Sequence, residues 1–184
     1  MNKIDPVIIK NDNIELIPIS CNIKKYVDDF HEYSTKKEFF KYLTFEPFLN
    51  YDESKNYIKK LIKRSSVPNC QYWFIKLKKK NKVIGSIGLL NYEFISKSVE
   101  IGYGISPDYW GKGIFKNSAE LLIDFFSSKF AVNSFLAKTS IENRNSISAL
   151  KKLGFKESSI ISNYYEYTDG HIEDAQIMIL YITR

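Results

Sequence analysis

The sequence predicts a mixed α/β fold of the α+β type, built as one domain over residues 1–184. Three observations predict it. Runs with strand-like alternation and runs with helical periodicity both recur along the chain. Neighbouring strand-like runs are joined by short polar turns, at residues 78–82 and at Asp169-Gly170, as in hairpins. A length of 184 residues, without internal repeats or a Pro/Gly/Ser-rich linker, fits one domain.

In order, residues 14–19 read as the first strand. Residues 21–66 read as mostly helical, interrupted near Pro47. Asp52-Glu53 begins the second half of that region with acids, which suit a helix N-terminus. Tyr57, Ile58, Leu61 and Ile62 then recur at helical spacing, and Pro68-Asn69 ends the run. Residues 71–77 and 83–92 are aromatic, β-branched or apolar, and pair as a hairpin. Residues 98–105 alternate. Val99, Ile101, Tyr103 and Ile105 share one face; Ser98, Glu100, Gly102 and Gly104 share the other. Two glycines on one strand face need a reason. Close packing of a neighbouring helix and close approach of a ligand both supply one, and spacing does not choose between them.

A turn, Trp110-Gly111-Lys112-Gly113-Ile114-Phe115, leads into a helix with an apolar stripe of Phe115, Ala119, Leu122, Ile123 and Phe126. A helix opening on a Gly-x-Gly turn offers unpaired N–H groups and the positive end of its dipole, which suits an anion such as phosphate. This is not a P-loop, because no Gly-x-x-x-x-Gly-Lys-Ser/Thr occurs, nor a dinucleotide fingerprint, because position 116 is Lys where Gly-x-Gly-x-x-Gly needs glycine. Residues 132–139 read as another strand. Residues 143–146 then cap a helix carrying Ile147, Leu150 and Leu153, stopped by Gly154. Residues 175–182 are apolar and read as a buried strand.

Composition excludes several classes. Lys and Arg number 27 against 21 Asp and Glu, a net charge of +6, but the lysines are dispersed in pairs along the chain. Dispersed pairs are solvated faces rather than a nucleic-acid patch, so no nucleic-acid partner is expected. No signal-peptide core and no run of ~20 apolar residues is present, so no membrane span is expected. The two cysteines (Cys21, Cys70) and two histidines (His31, His171) fit no metal site or disulfide framework. A reducing, cytoplasmic setting follows. The cysteines read as ordinary thiols, and neither histidine is given a catalytic role.

Taken together, Glu100-Ile101-Gly102-Tyr103, Pro107, Trp110-Gly111-Lys112-Gly113, Asn143-x-x-Ser146 and Lys152-Leu153-Gly154-Phe155 resemble the GNAT superfamily of N-acetyltransferases. The match is closest to the branch that acetylates ribosomal-protein N-termini, the RimJ/RimL type, and spans about residues 13–182. The resemblance implies a central, mostly antiparallel twisted sheet, flanked by helices. The strand with Glu100 and the strand ending near Thr139 should splay into a V that admits acetyl-CoA, the cosubstrate. It places the pyrophosphate on Trp110, Gly111, Lys112, Gly113, Ile114 and Phe115, and the pantetheine arm along Tyr103, Gly104 and Ile105. Asn143 and Ser146 match positions facing the pantetheine and thioester end. No metal is implied. Two departures stand out. Phe115 replaces a usually small residue, and the tyrosine that many members use as leaving-group acid has no clear counterpart after Ser146.

The reaction so implied is direct transfer of acetyl to an amine, which must be neutral to attack and so needs a base. Glu100, the one acid on the glycine face, is the candidate for that base or for ordering a water. A structural ion pair is its alternative. Ser146 is a candidate donor to the departing thiolate, or a first-turn helix residue; Asn143 bonds pantetheine, caps the helix, or both. Backbone N–H near Ile105 would polarise the thioester carbonyl. Phe39, Phe40, Tyr42, Phe45, Phe48, Tyr164, Tyr165 and Tyr167 line an acceptor groove or, for most of them, fill the core. The acceptor is an amine of a protein N-terminus, an amino sugar or another small molecule. The alternative function is a non-catalytic acyl-CoA-binding sensor or assembly module. A homodimer is common in this branch.

Overall fold

The computed structural model describes residues 4–20 and 23–182. Cys21, read above as an ordinary thiol, lies outside the described residues. Strands β1 (Ile9–Lys10) and β2 (Ile14–Pro18) open the fold, followed by helices α1 (Ile23–Ser34), α2 (Lys37–Phe40) and α3 (Tyr51–Ser65). Strands β3 (Gln71–Leu77), β4 (Lys82–Glu93) and β5 (Ser98–Ile105) come next. A 3₁₀ turn at Pro107–Tyr109 leads to α4 (Ile114–Phe130), β6 (Ser134–Ser140), α5 (Arg144–Lys152), β7 (Lys156–Glu166) and β8 (Ile172–Tyr181). The strands form one sheet in the order β1-β2-β3-β4-β5-β6-β8-β7. Among the described strands each neighbouring pair is antiparallel except β5 with β6, which is parallel.

Local chemistry sets the helix ends. Asn50 accepts the Glu53 N–H at 3.0 Å, and the Glu53 carboxylate accepts the Leu49 N–H at 2.8 Å. This reciprocal box satisfies two donors at the start of α3, beyond the dipole effect of its acids. Asn143 likewise accepts the Ser146 N–H at 3.1 Å and starts α5, while Gly154, at φ +92°, takes the left-handed stop after it. The strand expected from residue 132 begins two residues later, at Ser134. Ala131 turns left-handed and the Val132 N–H bonds back to Phe126 O at 3.3 Å, so these residues finish α4 instead. The two-residue β1 has too few positions to show a period and was not expected.

Helices cover both faces of the sheet. On one face, α4 buries Phe115, Ala119, Leu122 and Phe126 against Trp73, Ile87, Val99, Ile101 and Phe135. On the other, α1 and α3 bury Val27, Phe30, Tyr33, Ile58 and Leu61 against Ile17, Tyr72 and Phe74. Burial on both faces explains why β3 reads as a continuous apolar run rather than an alternating one.

The feature that positions the site is where β5 and β6 part. Their ladder runs from Ser98↔Ser134 to Ile101↔Ala137 and stops. Beyond it, residues 102–105 stay paired only with β4, and residues 138–140 only with β8. The sheet therefore splays as the sequence resemblance implied.

Phe126 is fully buried, with ring centroids 5.9 Å from Trp73 and 5.0 Å from Phe130. Phe126→Ala should cost about 3–5 kcal/mol in urea unfolding. A cost below ~1 kcal/mol would contradict the packing described for this face.

Candidate active site

The elbow between β5 and α4 is shaped by two glycines. Gly111 and Gly113 sit at φ +71° and +72°, left-handed backbone that residues with a Cβ resist. A Cβ at either would have nothing within 4 Å, so the space above the elbow is open. Gly113 is the N-cap of α4 and offers no side-chain acceptor to the first turn. The N–H groups and the positive dipole end of a 17-residue helix thus face that open space. Trp110 ties the elbow to the strand, its indole N–H donating to Ile105 O at 2.7 Å. Lys112 donates to Asp108 O at 2.6 Å and lies over the Tyr109 ring. Asp108 also accepts from Lys36 at 2.5 Å, a contact that holds its carboxyl below the usual carboxylate range.

The strand edge beside the elbow is unpaired. Ser106 N–H donates to Ile84 O at 2.7 Å, toward β4. Backbone groups alternate sides along an antiparallel ladder, so those of Tyr103 and Ile105 point away from β4, to the edge that β6 has left. The Ile105 carbonyl is the one taken by Trp110.

The glycine face of β5 is filled by protein. A Cβ on Gly102 would lie 2.9 Å from Leu90 Cδ1, and one on Gly104 would lie 2.8 Å from Phe39 Cζ. Leu90 sits at a bulge in β4, and Phe39 is on α2. Packing of a neighbouring helix, one of the two readings left open, accounts for Gly104 through Phe39, whereas Gly102 is met by Leu90 of the adjacent strand β4. The account through a ligand lying over that face is not needed.

On the opposite face, Tyr103 stacks on Phe115 with centroids 3.6 Å apart and planes 23° from parallel. Its hydroxyl lies 2.7 Å from Ser146 Oγ, reaching from β5 to α5 across the splay. Burial pushes the Tyr103 hydroxyl up to about 12, with the Ser146 contact working the other way. Phe115 is the second residue of α4 and points into the core, so its bulk leaves the elbow untouched.

Glu100 lies on the glycine face, away from Ser146. It pairs with Lys138 Nζ at 3.0 Å, and that ammonium stands 5.4 Å from the Tyr164 ring. Burial works against the Lys138 charge, but the bond and attraction to Glu100 outweigh it and raise its pKa. Beyond Lys138 a second carboxylate, Glu173, accepts from Ser140, from Tyr167 at 2.9 Å and from His171 Nε2 at 3.1 Å. Burial pushes Glu173 up, yet these donors prevail and lower it. Tyr167 is pushed up to about 12 by burial and then by Glu173. Burial also raises Tyr165, as do its neighbours Tyr164 and Tyr167 and the fields of both acids. Across the groove, Tyr42 donates to Glu142 O at 3.1 Å and Thr168 to Glu46. Phe40 is buried and meets Phe45 and Phe48 edge-on, half-buried Phe45 and Phe48 stack and also touch Tyr57, and Phe39 meets the sheet.

Of the residues singled out from the sequence, the fold gathers Tyr103, Phe115, Asn143 and Ser146 on one side of the splay. It places Trp110, Gly111, Lys112, Gly113 and Ile114 at the elbow, and Glu100 on the far face. Sequence reasoning missed Lys138, Ser140 and Glu173. A charged residue at alternate spacing from Leu136, which pairs with Glu100, was the one signal for Lys138.

Glu100 and the elbow sit within the part of the chain that decides the family, and Glu173 lies beyond it. The profile of the acetyltransferase (GNAT) domain matches residues 22–156. The chain belongs to the GNAT acetyltransferase family. An N-acetyltransferase named p20 from Bacillus licheniformis is 27% identical over 149 residues, 81% of this chain and 83% of that one. The [ribosomal protein bS18]-alanine N-acetyltransferase of Escherichia coli is 37% identical over 79 residues, 43% of this chain and 52% of the relative. Among solved structures, the microcin C7 self-immunity acetyltransferase MccE, in complex with acetyl-CoA and AMP, superposes with TM-score 0.81 at 23% identity, covering 94% of each chain. The apo ribosomal L7/L12 acetyltransferase RimL superposes at 0.82 and 19% identity, over 96% of this chain and 94% of that one. At such identities these structures establish the GNAT fold.

Glu173 gives this GNAT domain a pH signature. Its folded pKa is depressed, so its stabilisation is present above the unfolded value of ~4.3 and is lost as pH falls through the folded value. Glu173→Gln should therefore melt below the parent at pH 7, and the gap should close in acid. A gap that persists unchanged at pH 3 would refute the assignment.

Proposed function

We propose that this chain is an acetyl-CoA-dependent N-acetyltransferase acting on a primary amine in the cytoplasm, with the whole chain as its single domain. The observation that carries this is the parting of β5 and β6 directly beside an uncapped helix start built on two left-handed glycines. Names among the relatives agree with it. A 19% identical Vibrio cholerae relative is a spermidine N(1)-acetyltransferase, and the MccE structure contains acetyl-CoA.

The residues present fit the cosubstrate. The elbow of Trp110, Gly111, Lys112, Gly113 and Ile114, with the Phe115 backbone in the first turn of α4 behind it, would hold the diphosphate, since its N–H groups face open space and lack a side-chain acceptor. The open edge along Tyr103, Gly104 and Ile105, where the Tyr103 and Ile105 groups face away from β4, would take the pantetheine amides. Asn143 and Ser146 would meet the thioester end. Acetyl-CoA supplies an acetyl group activated as a thioester.

The chain's own residues then have distinct tasks. Glu100 accepts a proton from the attacking amine, directly or through a water it orders. Lys138 holds that carboxylate in place at 3.0 Å. The Ile105 N–H, at the open edge, stabilises charge growing on the carbonyl oxygen. Ser146 donates a hydrogen bond to the departing sulfur. The groove between Phe39 and the β7–β8 hairpin admits the amine, whether a protein N-terminus, an amino sugar or another small amine. Because Phe115 lies inside α4 rather than in the elbow, one ground for a binding-only protein falls away.

Two results test this. Saturating acetyl-CoA at ~100 times its Kd should add about 2.7 kcal/mol to unfolding. No stabilisation would remove the proposal. In a thiol-release assay over a panel of amino sugars, N-terminal peptides and small amines, Glu100→Gln should lower turnover roughly 10²–10⁴-fold. Its stabilisation by acetyl-CoA should match the parent's, and unchanged turnover would leave Glu100 as a structural ion pair.

A further inference from the structure

We propose that Tyr103, held in place by Phe115, is a positioning residue that aims the Ser146 hydroxyl proton into the cleft as the donor to the leaving thiolate. This rests on the acetyl-CoA reading above and assigns Tyr103 and Phe115 a task in it. The two hydroxyls lie 2.7 Å apart, and either can donate. A phenol is a far stronger donor than an aliphatic alcohol, so the lower-energy arrangement has Tyr103 O–H donating to Ser146 Oγ. Tyr103 is largely shielded and keeps its proton across the working pH range. Among the described residues Tyr103 is the hydrogen-bond partner of Ser146 Oγ. With one lone pair of Oγ occupied by Tyr103, the Ser146 proton is turned away from the phenol.

The remaining freedom of Ser146 is removed from the backbone side. Its N–H is fixed by the Asn143 side chain at 3.1 Å, in the first turn of α5. The Tyr103 ring cannot swing away, because Phe115 lies flat against it at 3.6 Å. Phe115 belongs to the first turn of α4, directly after the elbow. The bulky residue at 115 and the tyrosine at 103 thus form one unit. A small residue at 115 would leave the ring of Tyr103 unsupported on that side. The unit leaves Ser146 as the donor and fixes from β5 the direction in which its proton points.

The test uses the full chain and free CoA carrying carbon-13 at the carbon bonded to sulfur, whose chemical shift reports the thiol's protonation on the protein. Donation to the thiolate favours the charged form. The bound thiol should therefore titrate about one pH unit below free CoA. Ser146→Ala should return it to the free value. Tyr103→Phe keeps the ring and its stack and removes only the hydroxyl; it should return roughly half of the shift. For Tyr103→Phe, CoA affinity at a pH below the thiol's pKa should stay within about twofold. In turnover, kcat should fall while the KM for acetyl-CoA holds.

Phe115→Leu should move the titration in the same direction as Tyr103→Phe, with a folded protein shown by an intact cooperative melt. If Tyr103→Phe titrates like the parent while Ser146→Ala does not, Ser146 donates without help from Tyr103 and the inference is overturned. If both titrate like the parent, neither hydroxyl meets the thiol, with the same consequence. If the unaltered protein does not bind CoA at all, the acetyl-CoA reading itself fails, and the inference falls with it.

Discussion

Everything functional in this molecule depends on a ladder that stops early. Backbone N–H and C=O groups inside a protein must find partners, and a sheet normally supplies them strand by strand. Here β5 and β6 pair over four residues and then diverge, each still held on its outer side by β4 or β8. The outer pairings keep both arms rigid, so the gap does not collapse. The groups of Tyr103 and Ile105 that face it need partners that the sheet does not provide. A ligand carrying amides along its length is one such partner, which is why the splay and the elbow are one site rather than two.

The two faces of β5 divide the labour. One is the core face, where Tyr103 reaches over Phe115 to Ser146. The other carries Glu100 and the two glycines, covered by Leu90 and Phe39. A side chain at 102 or 104 would push out Leu90 or Phe39. Gly104 thus lets α2 lie close to the sheet, where the proposed acceptor groove would have Phe39 as a wall. Lys36, just before α2, is tied to Asp108 beside the elbow, so the acceptor wall and the anion elbow share an anchor.

Much of the fold was legible because its signals are local. The alternation of residues 98–105, the stripe of α4 and the Asn143 cap each arise within one element, and each element forms where expected. The elbow was legible for the same reason, since left-handed glycines before a helix need no distant partner. What stayed hidden is non-local. Glu100 meets Lys138 only because a parallel ladder sets Glu100 opposite Leu136. Ser146 meets Tyr103 over a separation of 43 residues, through a gap in the sheet that periodicity does not encode. Ser140 and Glu173 come from β6 and β8, sheet neighbours that α5 and β7 separate along the chain. The β7–β8 pairing itself shifts near Asn163, whose left-handed backbone (φ +54°) breaks the register that sequence alone would assume. The glycine face was ambiguous because Leu90 and Phe39 lie on other elements.

The acceptor side poses an electrostatic problem that its partners resolve. For an amine substrate, bare carboxylates nearby would stabilise the ammonium and so deplete the neutral form that attacks. A groove without any acid would lack a place for the proton to go. Glu100 and Glu173 are handled differently. Glu100 faces Lys138, whose charge offsets its own, so it can accept a proton without strongly holding a cation. Glu173 keeps its charge through hydroxyl and imidazole donors rather than through a lysine or arginine, and Tyr165 feels the fields of both acids. The unbalanced negative charge therefore lies toward the β7–β8 hairpin, away from the strand edge where the thioester would sit. In the proposed reaction such a gradient would draw a cationic amine toward the hairpin and favour its neutral form near Glu100, the order in which direct transfer needs those two conditions to occur.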